Sequence, residues 1–552
     1  MENRKKKTVI LVFLSIILIL SAFLPHMQRE MFWGSDDIFH YYRIKSVADG
    51  IKNGVFPVKL HSTAAYGYGY GVGFFYSDAL LYLPAALMAV FRVPLQDAYR
   101  IFAFLLYAGV FGGMYLSVNR LTGSRKSAFL TAGMYLFCNK VMESFYVTIA
   151  IGQMSALIFA PIAIAGMYLF LTRDERSYLL MLGFIGLIYS HTISTFLTFC
   201  TCVILVGVYG RELLKRKGKF FHLICAVGIV TAMTAAFWLP MLEQMKAQTL
   251  KVKAPWTTSE QNVSSWETFW FGRDGLGYMI ALVFIFSAIL ILMFLMKKMR
   301  MKEIERGAGV FLLIAIGMGG LTTWYPFWHF MNAKMGIKLI QFPTRLNMIV
   351  TILVLFGFAV LYTERIGKIR YATVCAALLL GGSMLCSFAE FSRDYLKTDN
   401  SRIEQVVNGE VAGLGAGEEW LPIEAQREYL IQPETAIDNG GGSVSGKKMD
   451  GCTKFIFEAD MSKTYYDIPY VWYKGYKAFD SKGNTYEINK NRENGLVQVW
   501  LPENGTGKEE ITVYYAGTKY QKLAYAGTIA GILAGIVYVL ANRKKEAGKD
   551  AV

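Results

Sequence analysis

The sequence predicts a mainly α-helical, polytopic membrane protein with about twelve transmembrane helices and an extracytoplasmic, β-sandwich-like domain near its C-terminal end. Three observations support this fold class. Of the 552 residues, 54% are hydrophobic and only 18% are charged, which is too apolar for a soluble enzyme. The apolar residues form runs long enough to cross a bilayer. One long polar stretch, residues 388–521, shows strand-like alternation instead.

We predict the membrane spans from the apolar runs and from the basic residues between them. The first run follows Arg4 to Lys7 without a small-residue cleavage site, which predicts an uncleaved first helix. A thirteenth apolar run, 74–91, contains Asp78 and Pro84 and is ambiguous. The twelve predicted spans are residues 8–24, 99–118, 127–140, 153–171, 178–190, 193–210, 220–239, 277–296, 308–324, 346–362, 370–387 and 522–541.

The net charge of +16 arises from short basic clusters between apolar runs, so it indicates membrane topology and not nucleic-acid binding. If 74–91 does not cross the membrane, every cluster falls on the cytoplasmic side, together with both chain termini. The seven cysteines are scattered and show neither a zinc-type nor a disulfide-type pattern. The clusters are Lys5 to Lys7; Arg120, Arg125 and Lys126; Arg173 and Arg176; Arg211 to Lys219; Lys297 to Arg306; Arg365 to Arg370; and Arg543 to Lys545.

This topology divides the chain into three parts. Residues 1–387 form a transmembrane domain with a long first outer loop, 25–98, and loops of that length usually carry function. Residues 388–521 form the β-rich domain, and 522–552 form the last helix and a basic cytoplasmic tail. Strand-like alternation is clearest in the segments 454–458, 495–500 and 511–515.

The first outer loop opens with the densest group of ionisable residues, between Gly34 and Arg43. Ser35, Asp36 and Asp37 are residues that favour a helix start. Asp36, His40 and Arg43 follow one another at i, i+4 and i+7 and share one helical face. We therefore predict an active site here, and the alternative is an ordinary capped surface helix.

Other polar residues fall on the same predicted outer face. Tyr146 and Gln153 lie in the outer segment 141–153. His191 lies at the outer end of two short helices, although a lone histidine in such a position is more often structural than functional. Basic residues there oppose the topological bias, and phosphate binding would explain them; they are Lys334, Lys338 and Arg345.

A repeat of tyrosine and glycine runs from Tyr66 to Gly73. Its rings suit either an aromatic belt at the membrane interface or a wall against a sugar or lipid chain, and we favour the belt. For its glycines we predict a tight loop.

Several motifs together resemble one family of bacterial multi-pass proteins. The marks are Gly34 to Ile44, Tyr66 to Tyr70, Ser190 to Ser194, Gln341 to Arg345 and Ile468 to Gly475. The family is labelled "6-pyruvoyl-tetrahydropterin synthase-related membrane protein", and it is similar in fold to the GT-C glycosyltransferases. The resemblance implies an enzyme that uses a polyprenyl-phosphate-linked sugar on the outer face of the bacterial cytoplasmic membrane, with Asp36, or Asp37 beside it, as the base.

On this interpretation the chain is an inverting glycosyltransferase that acts on a cell-envelope polymer and contacts membrane lipid but no nucleic acid. His40 or His191 would orient the acceptor, Tyr146 and Gln153 would line the cavity, and no cofactor is required, although a divalent cation is allowed. The donor phosphate would be held by Arg43, Lys334, Lys338 and Arg345.

Two departures from the family pattern support a second hypothesis. Thr148 and Gln153 stand where the family has Arg and Glu, and Thr344 stands where Trp is usual. The alternative is a GT-C-fold protein that has lost catalysis and serves as a lipid or glycan carrier or as an assembly partner.

Overall fold

The computed structural model describes residues 2–173, 177–215, 217–297, 299–335, 338 and 340–549. Arg176, one of the basic residues used to predict topology, lies outside them. The chain divides into two units. Residues 38–98, most of the predicted first outer loop, group with the C-terminal residues and not with the first helices. Unit 1 comprises Met1–Asp37, Tyr99–Val230 and Thr257–Asn400, and unit 2 comprises Ile38–Ala98, Thr231–Trp256 and Ser401–Val552.

Nine helices in the described residues are long and apolar enough to cross a membrane, and each matches a predicted span. The prediction of a polytopic membrane protein is therefore confirmed. The nine are Thr8–Met27, Leu95–Thr122, Ile151–Thr172, Thr192–Tyr209, Gly277–Met296, Glu303–Thr323, Pro343–Lys368, Ala372–Glu390 and Lys519–Asn542.

Two other predicted spans are too short. Arg125–Leu136 has 12 residues and Tyr178–Ile188 has 11, so at 1.5 Å per residue they extend roughly 16–18 Å, against about 30 Å of bilayer core. The ambiguous run 74–91 is also broken, since its longest apolar helix is Ala79–Phe91. That length agrees with the prediction that this run does not cross.

The predicted span 220–239 is broken into two helices, Gly218–Met233 and Ala235–Ala247. The indole Nε1 of Trp238 donates a hydrogen bond of 2.8 Å to the Thr231 carbonyl. This bond satisfies an acceptor that the break in the helix releases.

Small residues explain how the short helix Tyr178–Ile188 is accommodated beside the long helix Ile151–Thr172 in unit 1. A Cβ atom at Gly166 would lie 2.4 Å from a backbone atom of the short helix, and one at Gly183 would lie 2.5 Å from the backbone of the long helix. Such contacts allow close helix packing inside a membrane domain.

The remaining helices of unit 1 are short or lie at the ends of the spans. They are Asn139–Met142, the π-helix Glu143–Thr148, Arg211–Lys215, Trp266–Phe271, Tyr325–Ala333 and the 3-10 turns Leu24–Met27, Ser259–Asn262, Pro343–Leu346, Ile366–Lys368 and Asp394–Leu396. In unit 2 the helices are Asp37–Lys52, which begins at the unit boundary, Val72–Phe75, Tyr82–Phe91, Ala235–Ala247, Ser401–Asn408 and Lys519–Lys549, and the 3-10 turns are Ala79–Leu81, Lys251–Lys253 and Arg427–Tyr429.

Eight antiparallel strands in unit 2 confirm the predicted β-rich domain. The sheet closes into a barrel in the order β1-β2-β3-β8-β5-β6-β7-β4, whereas a sandwich of two sheets was predicted. It closes because β1 pairs with both β2 and β4, and an eight-stranded barrel is just wide enough for side chains to fill. The strands are β1 Thr435–Asp438, β2 Ser443–Met449, β3 Lys454–Asp460, β4 Tyr465–Val471, β5 Tyr476–Asp480, β6 Thr485–Lys490, β7 Leu496–Trp500 and β8 Lys508–Tyr515.

The tyrosine and glycine repeat packs inside unit 2. Gly67 and Gly69 have φ of +88° and +85°, the left-handed region that favours glycine, so the predicted tight loop is confirmed. The aromatic-belt interpretation is wrong for Tyr68 and Tyr70, which are buried. The carbonyl of Tyr68 accepts a 2.8 Å hydrogen bond from the Val471 amide at the end of β4.

The sidedness of the membrane spans can be tested with single cysteines. If the basic clusters are cytoplasmic, a cysteine at Asn119, near the end of helix Leu95–Thr122, is shielded from an impermeant thiol reagent in intact cells. A cysteine at the exposed Ser443 of β2 serves as the control and is expected to react. Equal labelling at both positions would contradict the predicted topology.

Candidate functional site

The backbone around Asp36 is fixed within unit 1 by the loop that precedes helix Ile151–Thr172. The Ser35 amide donates to the Val147 carbonyl at 3.1 Å, and the Asp36 amide donates to the Thr148 carbonyl at 2.9 Å. Asp36 is half-buried and directly precedes helix Asp37–Lys52, whereas Asp37, in its first turn, is fully buried. The predicted helix start at the two aspartates is thereby confirmed.

Gly34 is required for this close approach. A Cβ atom at Gly34 would lie 2.6 Å from the Val147 carbonyl oxygen and 2.9 Å from the Ile149 side chain. Real Cβ contacts are longer, so any larger residue would push the Asp36 segment away from the loop.

The loop that holds Asp36 has an unusual backbone. Residues Glu143–Thr148 form a π-helix, a conformation that is rare and frequently found at functional sites. Ile149 follows with φ +54° and ψ +42°, and a β-branched residue in this left-handed region is strained. The π-helix and the strained residue together bring the Val147 and Thr148 carbonyls to the Asp36 segment.

A buried ion pair lies at the start of the same π-helix. Lys140 Nζ is 2.6 Å from a carboxylate oxygen of Glu143, and the two side chains are 5% and 9% exposed. Sequence reasoning missed this pair, although its i, i+3 spacing on a helix was a usable signal.

Tyr146 and Gln153 were predicted to line a cavity; Tyr146 lies in the π-helix of this loop, and Gln153 lies in the helix that follows it. The Tyr146 hydroxyl donates a 2.5 Å hydrogen bond to the Ala22 carbonyl, and its ring stacks on His26 at 4.8 Å between centroids. Tyr146 therefore belongs to the aromatic core of unit 1. Gln153 is buried in the first turn of helix Ile151–Thr172.

His191 is the N-cap of helix Thr192–Tyr209. Its Nδ1 accepts a hydrogen bond of 3.3 Å from the Ser194 amide and lies 2.8 Å from the Ser194 hydroxyl. This contact gives the imidazole a structural role, because it satisfies one amide at the helix start.

The basic residues predicted to bind phosphate differ in their surroundings. Lys334, which follows helix Tyr325–Ala333, and Lys338 are exposed. Arg345 is half-buried, and its guanidinium lies 5.2 Å from the centroid of the Phe342 ring. All three belong to unit 1, as does Asp36.

Unit 2 contains a buried charge network centred on Asp78. Arg43 contacts one carboxylate oxygen of Asp78 through Nε at 3.1 Å and Nη2 at 2.6 Å, and His61 Nε2 lies 2.9 Å from the other oxygen. The side chains of Arg43, His61 and Asp78 are only 1–3% exposed. A guanidinium that binds a carboxylate in this way is geometrically fixed.

The other nitrogen contacts of Arg43 stay within unit 2. Nη2 donates to the Tyr76 and Ser77 carbonyls at 3.2 and 2.9 Å, and Nη1 lies 3.3 Å from His40 Nδ1. The guanidinium also lies 4.1 Å from the centroid of the Tyr76 ring. His40 and Arg43 therefore meet, as their spacing predicts, and Arg43 is occupied by protein partners.

The pKa of Asp78 agrees with its contacts to Arg43 and His61. Burial alone would raise the pKa of Asp78, but the charges and hydrogen bonds of Arg43 and His61 outweigh it and lower the pKa to about 2. Asp78 is therefore ionised at neutral pH. The sequence offered one sign of this network, a carboxylate inside an apolar run, which usually has a specific partner.

The carboxylates and imidazoles of the described residues do not gather as metal ligands. Among the described residues, no group of three or more His, Cys, Asp or Glu side chains is placed to hold a metal ion.

The fold defines the class of this chain, a polytopic membrane protein with a C-terminal β-barrel. No protein-family model matches it. A protein of Lactococcus lactis subsp. cremoris (strain MG1363), described as uncharacterized, is 23% identical over 255 residues, which are 45% of this chain and 42% of that protein. The match therefore spans less than half of that relative.

One solved structure with partial similarity is an oligosaccharyltransferase of Archaeoglobus fulgidus, crystallised with Zn and sulfate. The alignment covers 69% of this chain and 52% of that one, with 14% identity and a TM-score of 0.33.

Proposed function

We propose that the protein is a GT-C-type membrane glycosyltransferase that transfers a sugar from a polyprenyl-phosphate donor to a cell-envelope polymer on the outer face of a bacterial cytoplasmic membrane. One observation is the main support for the proposal. The Gly34–Asp36 segment and the loop at 147–148, more than 100 residues apart, are joined by two backbone hydrogen bonds. The first segment holds the aspartate that the family resemblance implies as the base, and the loop includes Thr148, which stands where the family has Arg.

Asp36 is the better base of the two aspartates. It is half-buried, whereas Asp37 is fully buried, and a general base must reach the hydroxyl from which it takes the proton. In the proposed step the acceptor oxygen bonds to the anomeric carbon while its proton passes to Asp36. The bond from that carbon to the phosphate oxygen breaks with inversion, and the polyprenyl phosphate leaves with the bonding electrons.

The leaving phosphate needs positive charge. Lys334 and Lys338 are exposed and Arg345 is half-buried, so all three remain candidates for this role. Arg43 instead contacts Asp78 and two backbone carbonyls, which supports a positioning role. We assign His40 to the same role, because its Nδ1 contacts Arg43.

The substitution Asp36→Asn tests the proposal. It keeps the shape of the side chain and removes the base, so we expect glycosylation of extracted wall polymers to fall by roughly 10²–10⁴-fold. Asp49→Asn, in the helix that Asp36 directly precedes but in a partly exposed pair with Lys45, should leave glycosylation unchanged. The amount of protein in the membrane is measured for both variants.

Unchanged glycosylation in Asp36→Asn cells would reject the enzyme and favour the carrier or assembly hypothesis. That hypothesis rests on Gln153, which stands where the family has Glu.

A further inference from the structure

A cavity of about 240 Å³ lies in unit 2 beside the start of the last membrane helix. Its walls come from residues 55–62 of the first loop, residues 515–518 at the end of β8 and the first turns of the span Lys519–Asn542, and Thr453, just before β3, completes the lining. The cavity therefore lies where a membrane span begins, which is the level of the lipid head groups.

The cavity is positively charged. Lys59 and Lys522 line it, and its lining contains no Asp or Glu. In the described part of the chain neither ammonium group forms an ion pair, and Lys59 Nζ donates only a long hydrogen bond of 3.4 Å to the Gly73 carbonyl. The nearby carboxylate of Asp78 is occupied by Arg43 and His61.

The environment of Lys59 favours an anionic ligand. Burial lowers the pKa of Lys59 to about 8, although the charge of Asp78 acts in the opposite direction. Desolvation without a paired anion is unfavourable for an ammonium group. An anion beside Lys59 would compensate for it.

The rest of the lining is suited to an amphiphile. Val55, Phe56 and Leu60 supply apolar surface, and Phe56 is 78% exposed. On the polar side, Thr518 and Gln521 cap the last helix through hydrogen bonds of 3.1 and 3.2 Å. The positive end of that helix dipole adds to the charge of the lysines.

We propose that this cavity binds the phosphate of an anionic membrane lipid between Lys59 and Lys522, with the lipid chains leaving past Phe56. A soluble phosphate would use the two lysines but not the apolar wall. The proposal goes beyond the glycosyltransferase function and does not depend on it, because binding at this cavity involves neither Asp36 nor the loop at 147–148.

The full-length protein in detergent is tested by native mass spectrometry with phosphatidylglycerol and, separately, with phosphatidylcholine. We expect preferential binding of phosphatidylglycerol, weakened roughly 10–30-fold in the double variant Lys59→Gln/Lys522→Gln. The double variant Lys59→Arg/Lys522→Arg keeps both charges and should retain binding. The matched control is Lys477→Gln/Lys508→Gln, which removes two exposed barrel lysines and should bind as the wild type does.

Three results would overturn the proposal. The first is equal binding of the two lipids. The second is a loss of binding in the barrel control as large as that in Lys59→Gln/Lys522→Gln. The third is complete displacement of phosphatidylglycerol by inorganic phosphate that binds as tightly as the lipid does. The last result would identify a soluble phosphate site. Asp36→Asn should bind phosphatidylglycerol normally, so a failure of the lipid site and a failure of the glycosyltransferase proposal are distinguishable.

Discussion

Replacing Asp78 with Ala is expected to lower the free energy of unfolding of unit 2 by about 3–5 kcal/mol, because it leaves the buried Arg43 guanidinium without a counter-charge. Asp78 contacts both Arg43 and His61, and all three side chains are almost completely buried. Equilibrium unfolding in detergent, followed by tryptophan fluorescence, measures the loss. Asp49→Asn is the control, since the partly exposed Lys45–Asp49 pair contributes only about 0.3–0.5 kcal/mol.

A double variant distinguishes the effect of an unpaired buried charge from the effect of altered packing at this site. Arg43→Met/Asp78→Leu removes both charges and should be more stable than Asp78→Leu alone, since apolar residues of similar volume often replace a buried pair at little cost. If Asp78→Ala is no more destabilising than Asp49→Asn, the network does not hold unit 2 together.

The same network predicts how stability depends on pH. The pKa of Asp78 is lower in the folded protein, at about 2, than its usual 3.8. The stability that its charge supplies is therefore fully present above pH 4 and is lost as the pH falls from about 4 towards 2. In Asp78→Ala this acid-dependent loss should be smaller.

Replacing Gly34 with Ala is expected to reduce glycosylation about 10²-fold while the protein remains folded, because a shift of roughly 1 Å in a reacting group has an effect of that size. The new Cβ would lie 2.6 Å from the Val147 carbonyl oxygen. Hydrogen exchange supplies a measurement independent of activity: the Ser35 and Asp36 amides, which donate to this loop, should exchange faster.

Gly112→Ala is the matched control for Gly34→Ala. Gly112 lies inside helix Leu95–Thr122, and a Cβ there would meet no atom within 4 Å. Replacing a helical glycine with alanine in open space stabilises by about 0.5–1 kcal/mol. If the backbone amides of Ser35 and Asp36 exchange hydrogen no faster in Gly34→Ala than in the wild type, the loop does not fix the Asp36 segment.

The elements that hydrophobic periodicity determines could be predicted from sequence. Nine spans, the helix start at Asp37 and the strands β3, β7 and β8 agree with the predictions. The short helix Tyr178–Ile188 could not be separated from a span, because its residues are as apolar as those of a span and only its length distinguishes it. The barrel could not be separated from a sandwich, because alternation is the same in both and only the β1–β4 pairing closes the sheet.

At the candidate site, the polar contacts between residues far apart in the chain could not be predicted from the sequence. The i, i+3 relation brought His40 and Arg43 together as predicted. Asp78 stands out in the sequence as a carboxylate inside an apolar run, but nothing there indicates that Arg43 and His61 are its partners, or that the loop at 147–148 receives Asp36. Such partners are far apart in the chain and meet only in the tertiary structure, so no local sequence pattern relates them.

The hydrogen bond between Tyr68 and Val471 has a consequence for biosynthesis. The two residues are separated by about 400 residues of chain, so at roughly 5–20 residues per second the ribosome adds the second about 20–80 s after the first. During that interval the tyrosine and glycine repeat lacks the strand that covers it in the finished protein. A nascent chain stalled before β4 should therefore be cleaved within this repeat by an added protease, and completion of the barrel should protect it.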